Sequence, residues 1–212
     1  MVDRKDDVIV EYVLIIGHDM DFTQFNFQGK YVIGVDEGAY TALINGIQLD
    51  VAIGDFDSID KEKLAYIESK TKVIVLPDKK NDTDTGAALK LCKDASRIII
   101  LGGIQGKRIE HFIANLMLME THSHVEMIDN NSHMYIMDSS FSIKKTEYKF
   151  ISFFALEDTI ITLDGFSYPL TNYYLKNTDP LTISNEIKDE RGIVTLKGGR
   201  VLVIQSKADS KR

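Results

Sequence analysis

The chain has 212 residues, 44% of them hydrophobic and 27% charged, the balance of a soluble globular protein with room for one large domain or two small ones. Its net charge of −7 argues against a general binder of nucleic-acid backbones, while leaving open a small nucleotide held through a metal ion. A single cysteine, Cys92, excludes an internal disulfide, reads as a small buried hydrophobe and fits a reducing compartment.

Asp3-Arg4-Lys5-Asp6-Asp7 mixes charges, unlike the positive start of a signal peptide. The apolar run from Val8 to Ile16 is broken by Glu11 and is far too short to span a bilayer, so a cytoplasmic protein without a membrane partner is expected. From there to about residue 128, β-branched runs predict strands at Val8–Ile16, Tyr31–Val35, Val51–Ile53, Val73–Leu76, Ile98–Leu101 and Val125–Ile128. Apolar residues at helical spacing predict helices over Lys61–Lys70, with Ser58 or Asp60 as N-cap, over Thr83–Lys93 and over Glu110–Thr121. Strand alternating with helix implies a mostly parallel, Rossmann-like sheet covered by helices.

Helical spacing then disappears. Strand-like runs follow at His133–Met137, Phe141–Lys144, Lys149–Ala155, Thr159–Leu163, Asn172–Leu175, Arg191–Leu196 and Val201–Ile204. Asp164-Gly165 signals a turn, and Lys197-Gly198-Gly199-Arg200 predicts a hairpin between the last two strands. An all-β sandwich is expected, with the boundary near Asp129-Asn130-Asn131-Ser132: residues 1–129 form the α/β domain and 130–212 the β domain.

The unusual polar residues follow the predicted strands. Val35 leads to Asp36-Glu37-Gly38-Ala39, Ile53 to Gly54-Asp55-Phe56-Asp57-Ser58, Leu76 to a stretch ending Lys80-Asn81-Asp82-Thr83-Asp84, and Leu101 to Gly102-Gly103-Ile104-Gln105-Gly106-Lys107-Arg108. In a parallel sheet these loops share the carboxyl edge, where open α/β sheets bind ligands. Asp55 and Asp57, one residue apart, can face the same way, and Phe56 between them suggests a loop packed down. With Asp84 in the first turn of a helix beside them, the carboxylates repel one another unless a hard cation such as Mg²⁺ is present. The glycine loop offers backbone amides, Lys107 and Arg108 to phosphates, but it is neither a Walker A loop nor Gly-x-Gly-x-x-Gly. His111 is either a general base or a structural hydrogen-bonding group.

Together these residues resemble the thiamine pyrophosphokinase (thiamine diphosphokinase) family over nearly the whole chain. Gly54-Asp55-Phe56-Asp57-Ser58 is similar to its Gly-Asp-x-Asp-Ser element, and Lys80-Asn81-Asp82-Thr83-Asp84 to its Lys-Asp-x-Thr-Asp element. Gly103 to His111 is similar to its Gly-x-x-Gly-x-Arg-x-Asp-His element, continued by Ala114-Asn115-Leu116, and Asp36-Glu37-Gly38-Ala39 to an Asp-Gly-Gly-Ala turn. Gly165-Phe166-x-Tyr168-Pro169-Leu170 and Ser184-Asn185-Glu186 match elements of the thiamine-binding half. The departures are Glu37 for glycine, Asn81 for Asp, Glu110 for Asp, and Ile187 where an aromatic such as Trp or Phe is frequent.

The resemblance implies a nucleotide-binding catalytic domain followed by a thiamine-binding one, and Mg²⁺-dependent transfer of pyrophosphate from ATP to the hydroxyl of thiamine, giving thiamine diphosphate and AMP. It implies metal-holding roles for Asp55, Asp57 and Asp84, charge stabilisation by Arg108 with Lys80 as helper, and Glu110 orienting water or the acceptor hydroxyl. It implies ligand binding by Asp36, Lys80, Asn81, Thr83, Gly103, Gly106, His111, Ser184 and Asn185. It also implies a homodimer whose sites lie between subunits. Two alternatives remain, another Mg²⁺-dependent phosphoryl or nucleotidyl transferase and a non-catalytic module that keeps the nucleotide cleft.

Overall fold

The computed structural model describes residues 10–17, 19–77, 81–105, 108–122 and 124–208. The chain divides into two compact units, Met1–Asn130 and Asn131–Arg212.

The first unit contains β1 (Glu11–Ile15), β2 (Tyr31–Val35), α1 (Glu37–Ile44), β3 (Val51–Gly54), α2 (Lys61–Glu68), β4 (Lys72–Val75), α3 (Asp84–Leu89), β5 (Arg97–Leu101), α4 (Ile109–Thr121) and β6 (Val125–Ile128). Its strands run parallel in the order β4-β3-β2-β1-β5-β6, so the expected parallel sheet is present. Val13 lies opposite Val32 and Ile99, and Ala52 opposite Val73, which sets these side chains in rows on the sheet. One core gathers Val13, Ile15, Val32, Ile99 and Leu101 with Ala42 of α1, and a neighbouring one Ala39, Ala52, Phe56 and Ile67 of α2. No helix among the described residues is long and apolar enough to cross a membrane.

Two local readings change, and the choice of cap for α2 is decided. Glu37-Gly38-Ala39, expected as loop, open the helix α1 (Glu37–Ile44), whose buried residues are the small Gly38, Ala39, Thr41 and Ala42 rather than a stripe of large ones. The predicted helix over Thr83–Lys93 ends at Leu89, and the chain leaves it through tight bonds from Leu91 N to Ala88 O and from Cys92 N to Leu89 O. Asp60, not Ser58, caps α2, accepting from Lys63 N at 2.8 Å.

The second unit contains β7 (Ser132–Met137), β8 (Phe141–Lys144), β9 (Phe150–Ala155), β10 (Thr159–Asp164), β11 (Leu170–Leu175), β12 (Arg191–Lys197) and β13 (Val201–Ser206). β13 pairs antiparallel with β7 and β9, while β11-β10-β12-β8 form an antiparallel sheet of four. The two sheets share one core, in which Ile151, Phe153, Val201 and Val203 meet Ile143, Ile161, Leu163 and Val194, so the expected sandwich is present. The expected hairpin at Lys197-Gly198-Gly199-Arg200 is corrected: β12 pairs with β10 and β8, and β13 with β7 and β9. The glycine pair carries the chain from one sheet to the other, because β12 and β13 both point Val side chains into the shared core and face each other instead of pairing.

Candidate active site

Strands β2, β3, β4 and β5 end at Val35, Gly54, Val75 and Leu101, so the loops that follow them leave from one edge of the sheet. Asp36 is the first residue beyond β2. Its backbone N–H donates to Ile53 O at 2.9 Å, which ties it to the end of β3. It occupies the N-cap position of α1 with φ 50° and ψ −129°, yet its side chain caps nothing. A residue with a side chain adopts such a positive φ only where its surroundings hold it there.

The carboxylate of Asp36 is turned toward the next loop. Oδ2 accepts from Ser58 Oγ at 3.1 Å, and Oδ1 is buried without a hydrogen-bond partner. Burial pushes this carboxyl up from its ordinary value; the Ser58 hydroxyl pulls it back, and the charges of Asp84, Asp55 and Asp57 push it up further. Asp55 and Asp57 flank Phe56, which is 5% exposed, packs with Ala39, Ala52 and Ile67, and also takes a positive φ of 56°. Phe56 therefore pins the loop, as its place between two acids suggests, and holds both neighbours at the sheet edge.

Asp36, Asp55 and Asp57 each place a carboxylate oxygen within 4.8 Å of the others. Asp84 joins them from the first turn of α3, its Oδ1 accepting from Asp55 N at 3.2 Å. An orphaned buried carboxylate oxygen beside two further carboxylates fits a hard divalent cation, which takes oxygen ligands and offsets the mutual repulsion. The structure thus brings together the expected Asp55, Asp57 and Asp84, and adds Asp36 to them. Ser58, read from the sequence only as a helix cap, is the residue that reasoning missed; nothing in its spacing points across to Asp36.

The remaining expected residues have varied surroundings. Thr83 caps α3, its Oγ1 accepting from Gly86 N at 3.0 Å, and Asn81 is exposed in the loop before it. Asp82, next to the departure at Asn81, is engaged by Lys90 at 2.6 Å and by Thr83 N at 2.9 Å. Lys80, Gly106 and Lys107 lie outside the described residues. Gly103, with φ 78°, follows Gly102, where a Cβ would overlap the backbone of Gly17; only glycine lets β1 and β5 end so close together. Arg108 and Glu110 pair with each other at 2.8 Å at the exposed start of α4, and that bond holds the Glu110 carboxyl below its ordinary value. His111 is exposed beside them.

In the second unit Ser184 is exposed, with φ 54° and its N–H donating to Ser152 Oγ at 2.9 Å. Asn185 is 4% exposed, and its amide is occupied within the protein: Oδ1 accepts from Tyr168 N at 3.0 Å and Glu186 N at 2.9 Å, and Nδ2 donates to Tyr168 O at 2.8 Å. Ile187 is buried in the core opposite Phe166.

A parallel α/β unit with four carboxylates converging at its carboxyl edge, joined to an antiparallel β unit, defines a two-domain α/β–β protein with an acidic, cation-type centre. Residues 22–129 match the family description "Thiamin pyrophosphokinase, catalytic domain" and residues 139–201 match "Thiamin pyrophosphokinase, vitamin B1 binding domain"; the chain belongs to the thiamin pyrophosphokinase family. A thiamine pyrophosphokinase of Bacillus subtilis is 34% identical over 196 residues, 88% of this chain and 92% of that protein. A crystal structure of thiamine pyrophosphokinase from Bacillus subtilis superposes with a TM-score of 0.84 at 30% identity, covering 94% of this chain and 99% of that one. One from Geobacillus thermodenitrificans gives 0.82 at 25% identity, covering 95% and 99%. Yeast thiamin pyrophosphokinase, at 12% identity and a TM-score of 0.75 over 96% of this chain and 88% of its own, shares the fold.

Proposed function

We propose that this chain, a thiamine pyrophosphokinase by family, transfers the pyrophosphoryl group of ATP to the hydroxyl of thiamine and releases AMP. The hydroxyl oxygen forms a bond to the β-phosphorus, the bond from that phosphorus to the bridging oxygen of AMP breaks, and the hydroxyl proton passes to a neighbouring carboxylate late in the step. The observation that supports this most is the meeting of Asp36, Asp55 and Asp57 within 4.8 Å, with one Asp36 oxygen buried and unpartnered. Asp55, Asp57 and Asp84, with Asp36, would hold Mg²⁺, which when bound neutralises phosphate charge and makes the β-phosphorus more electrophilic.

Positioning and charge neutralisation are the protein's share of the work. Arg108, now paired with Glu110, would exchange that partner for the transferred phosphates and free the Glu110 carboxylate to orient the acceptor hydroxyl. Lys80, Asn81, Thr83, Gly103, Gly106 and His111 belong to the ATP side in this reading, and Ser184 to the thiamine side. The protein acts in the cytoplasm as a homodimer, each site taking ATP-side residues from one subunit and thiamine-side residues from the other. A ridge of Ile109, Ile113 and Met117 along α4, exposed at 66%, 48% and 64%, supports a partner surface.

Incubation with Mg²⁺, ATP and thiamine tests the reading: thiamine diphosphate and AMP should appear in equal amounts. ADP as the nucleotide product would place the protein among ordinary kinases instead. Asp55→Asn and Asp57→Asn should each lower turnover at least about tenfold while the fold is kept.

A further inference from the structure

The helix α4 buries two of its residues, Met119 and Asn115, and only the first suits a core. Asn115 is 6% exposed, and among the described residues its side-chain amide makes no hydrogen bond. A buried amide left unpaired weakens a fold, and leucine, with the same branched skeleton, would fill the place without that cost. Packing therefore does not account for the asparagine.

The amide lies against the glycine turn after β5. A Cβ built on Gly103 would stand 2.8 Å from Asn115 Nδ2 and 2.5 Å from Ile16 Cδ1, so only glycine leaves room there. This is where the sheet changes direction: from β1 the chain steps outward through β2, β3 and β4, then returns to pair β5 with the other side of β1. Open α/β sheets hold ligands at such a point, beyond the carboxyl ends of the strands. Ile16 N and Gly17 N both donate to Leu101 O at 3.1 Å, which draws the ends of β1 and β5 together. On the other side of β1, a Cβ on Gly38 would overlap Ile15 O, so the turn that carries Asp36 also closes on this strand end. Asp36 and Gly103 thus flank the end of β1, on strands two spacings or about 10 Å apart. His111, one helical turn before Asn115, lies on the same side of α4.

We propose that Asn115 binds phosphate: its Nδ2 donates to a phosphoryl oxygen of a nucleotide laid from the acidic group across the end of β1 onto the glycine turn. This deepens the functional reading above and rests on it. The bond is charge-assisted, so the amide that the folded chain leaves unspent is satisfied when the ligand is bound. Asn115 holds the phosphate chain and takes no part in the bonds that form and break.

Calorimetric titration of Mg²⁺·ATP, and separately of Mg²⁺·tripolyphosphate, into the full-length protein tests this in wild type, Asn115→Leu and Asn115→Ala. The Kd of both ligands should rise about tenfold in each variant, the loss of one hydrogen bond to a charged group, while the thiamine Kd stays within about twofold. Thermal unfolding without ligand gives a second readout. Asn115→Leu should melt no lower than wild type, because it removes the unpaired amide and keeps the space filled. An asparagine that serves the fold alone gives the reverse, a lower Tm with an unchanged Kd. Asn115→Ala, which leaves space instead of filling it, carries the comparison where leucine does not fit. A Kd within about twofold of wild type for ATP in a folded variant, or an equal rise for thiamine, overturns the proposal. A rise for ATP without one for tripolyphosphate moves the contact to the nucleoside and overturns it as well. A wild type that binds Mg²⁺·ATP but releases ADP contradicts the functional reading alone, and the Kd comparison still decides the role of Asn115; a wild type that binds neither ligand overturns both.

Discussion

The hydroxyl of Ser58 donates to Oδ2 of Asp36 across 3.1 Å, joining the loop after β3 to the turn after β2. The bond leaves Oδ1 as the buried, unpartnered oxygen of a half-buried carboxylate in a group with Asp55 and Asp57. Ser58 therefore helps fix the orientation of the Asp36 carboxylate. Ser58→Ala should weaken Mn²⁺ or Mg²⁺ binding by up to about tenfold, the size expected for one hydrogen bond to a charged group. Ser58→Thr, which keeps the hydroxyl, should restore most of it. Titration of Mn²⁺ followed by electron paramagnetic resonance reads this without turnover, and equal affinities for wild type and Ser58→Ala would remove Ser58 from the site.

The raised pKa of Asp36 has a consequence for stability. Burial and the neighbouring acids favour its protonated form in the folded chain, so the folded value lies above the ordinary 3.8. Stability from this group is fully present below pH 3.8 and is lost as pH rises through the folded value. A cation bound beside Asp36 would favour its ionised form and offset the repulsion from the neighbouring acids. Mg²⁺ at about 100 times its Kd should add about 2.7 kcal/mol to the first unit, several degrees of Tm at pH 7. Near pH 4, where protons compete for the carboxylates, the increment should shrink. Thermal unfolding with and without Mg²⁺ at both pH values checks it, and a pH-independent increment would place the cation elsewhere.

Phe56 separates the two acids of its loop, Asp55 and Asp57, by packing into the core under α1 and α2. Its burial at 5% makes Phe56→Ala a cavity-forming change that should destabilise the first unit by about 3–5 kcal/mol. Because the same side chain pins Asp55 and Asp57, cation affinity should fall with it. Phe56→Leu should keep most of both. Urea unfolding with a parallel Mn²⁺ titration separates the effects; full affinity in Phe56→Ala would show that the loop holds its shape without the wedge.

Much of this arrangement was legible in the sequence. Alternating strands and helices placed the acidic loops at one sheet edge, and the Asp-Phe-Asp pattern announced a loop anchored by its aromatic. What was not legible depends on contacts between distant segments. The pairing of Val35 with Ile53 puts Asp36 against the β3 loop, and no local signal at Asp36 or Ser58 encodes that pairing. The helix α1 escaped because its buried side is made of Gly38, Ala39, Thr41 and Ala42, which carry little hydrophobic periodicity. Gly198 and Gly199 supply the positive φ of a tight turn, 76° and 69°, but that conformation serves a crossing between sheets as well as a hairpin. Asn185 illustrates the same limit: its residue type suits a ligand contact, and only the fold reveals that the backbone of Tyr168 occupies its amide.

Cys92 gives a prediction independent of the site. It follows α3, is 8% exposed, and burial pushes its thiol up to about 12 from 9.0. The reactive thiolate is then about one part in ten thousand at pH 8, against roughly one in ten for a thiol of ordinary pKa. The stability linked to Cys92 is intact below pH 9.0, where the unfolded thiol begins to ionise, and is lost as pH rises toward the folded value. Alkylation by iodoacetamide at pH 8 should therefore be at least about a hundredfold slower in the native protein than in denaturant. Cys92→Ser should show a smaller loss of Tm between pH 8 and pH 10 than the wild type, since the hydroxyl does not titrate there. Rapid native labelling would mean that the turn after α3 opens far more readily than its packing indicates.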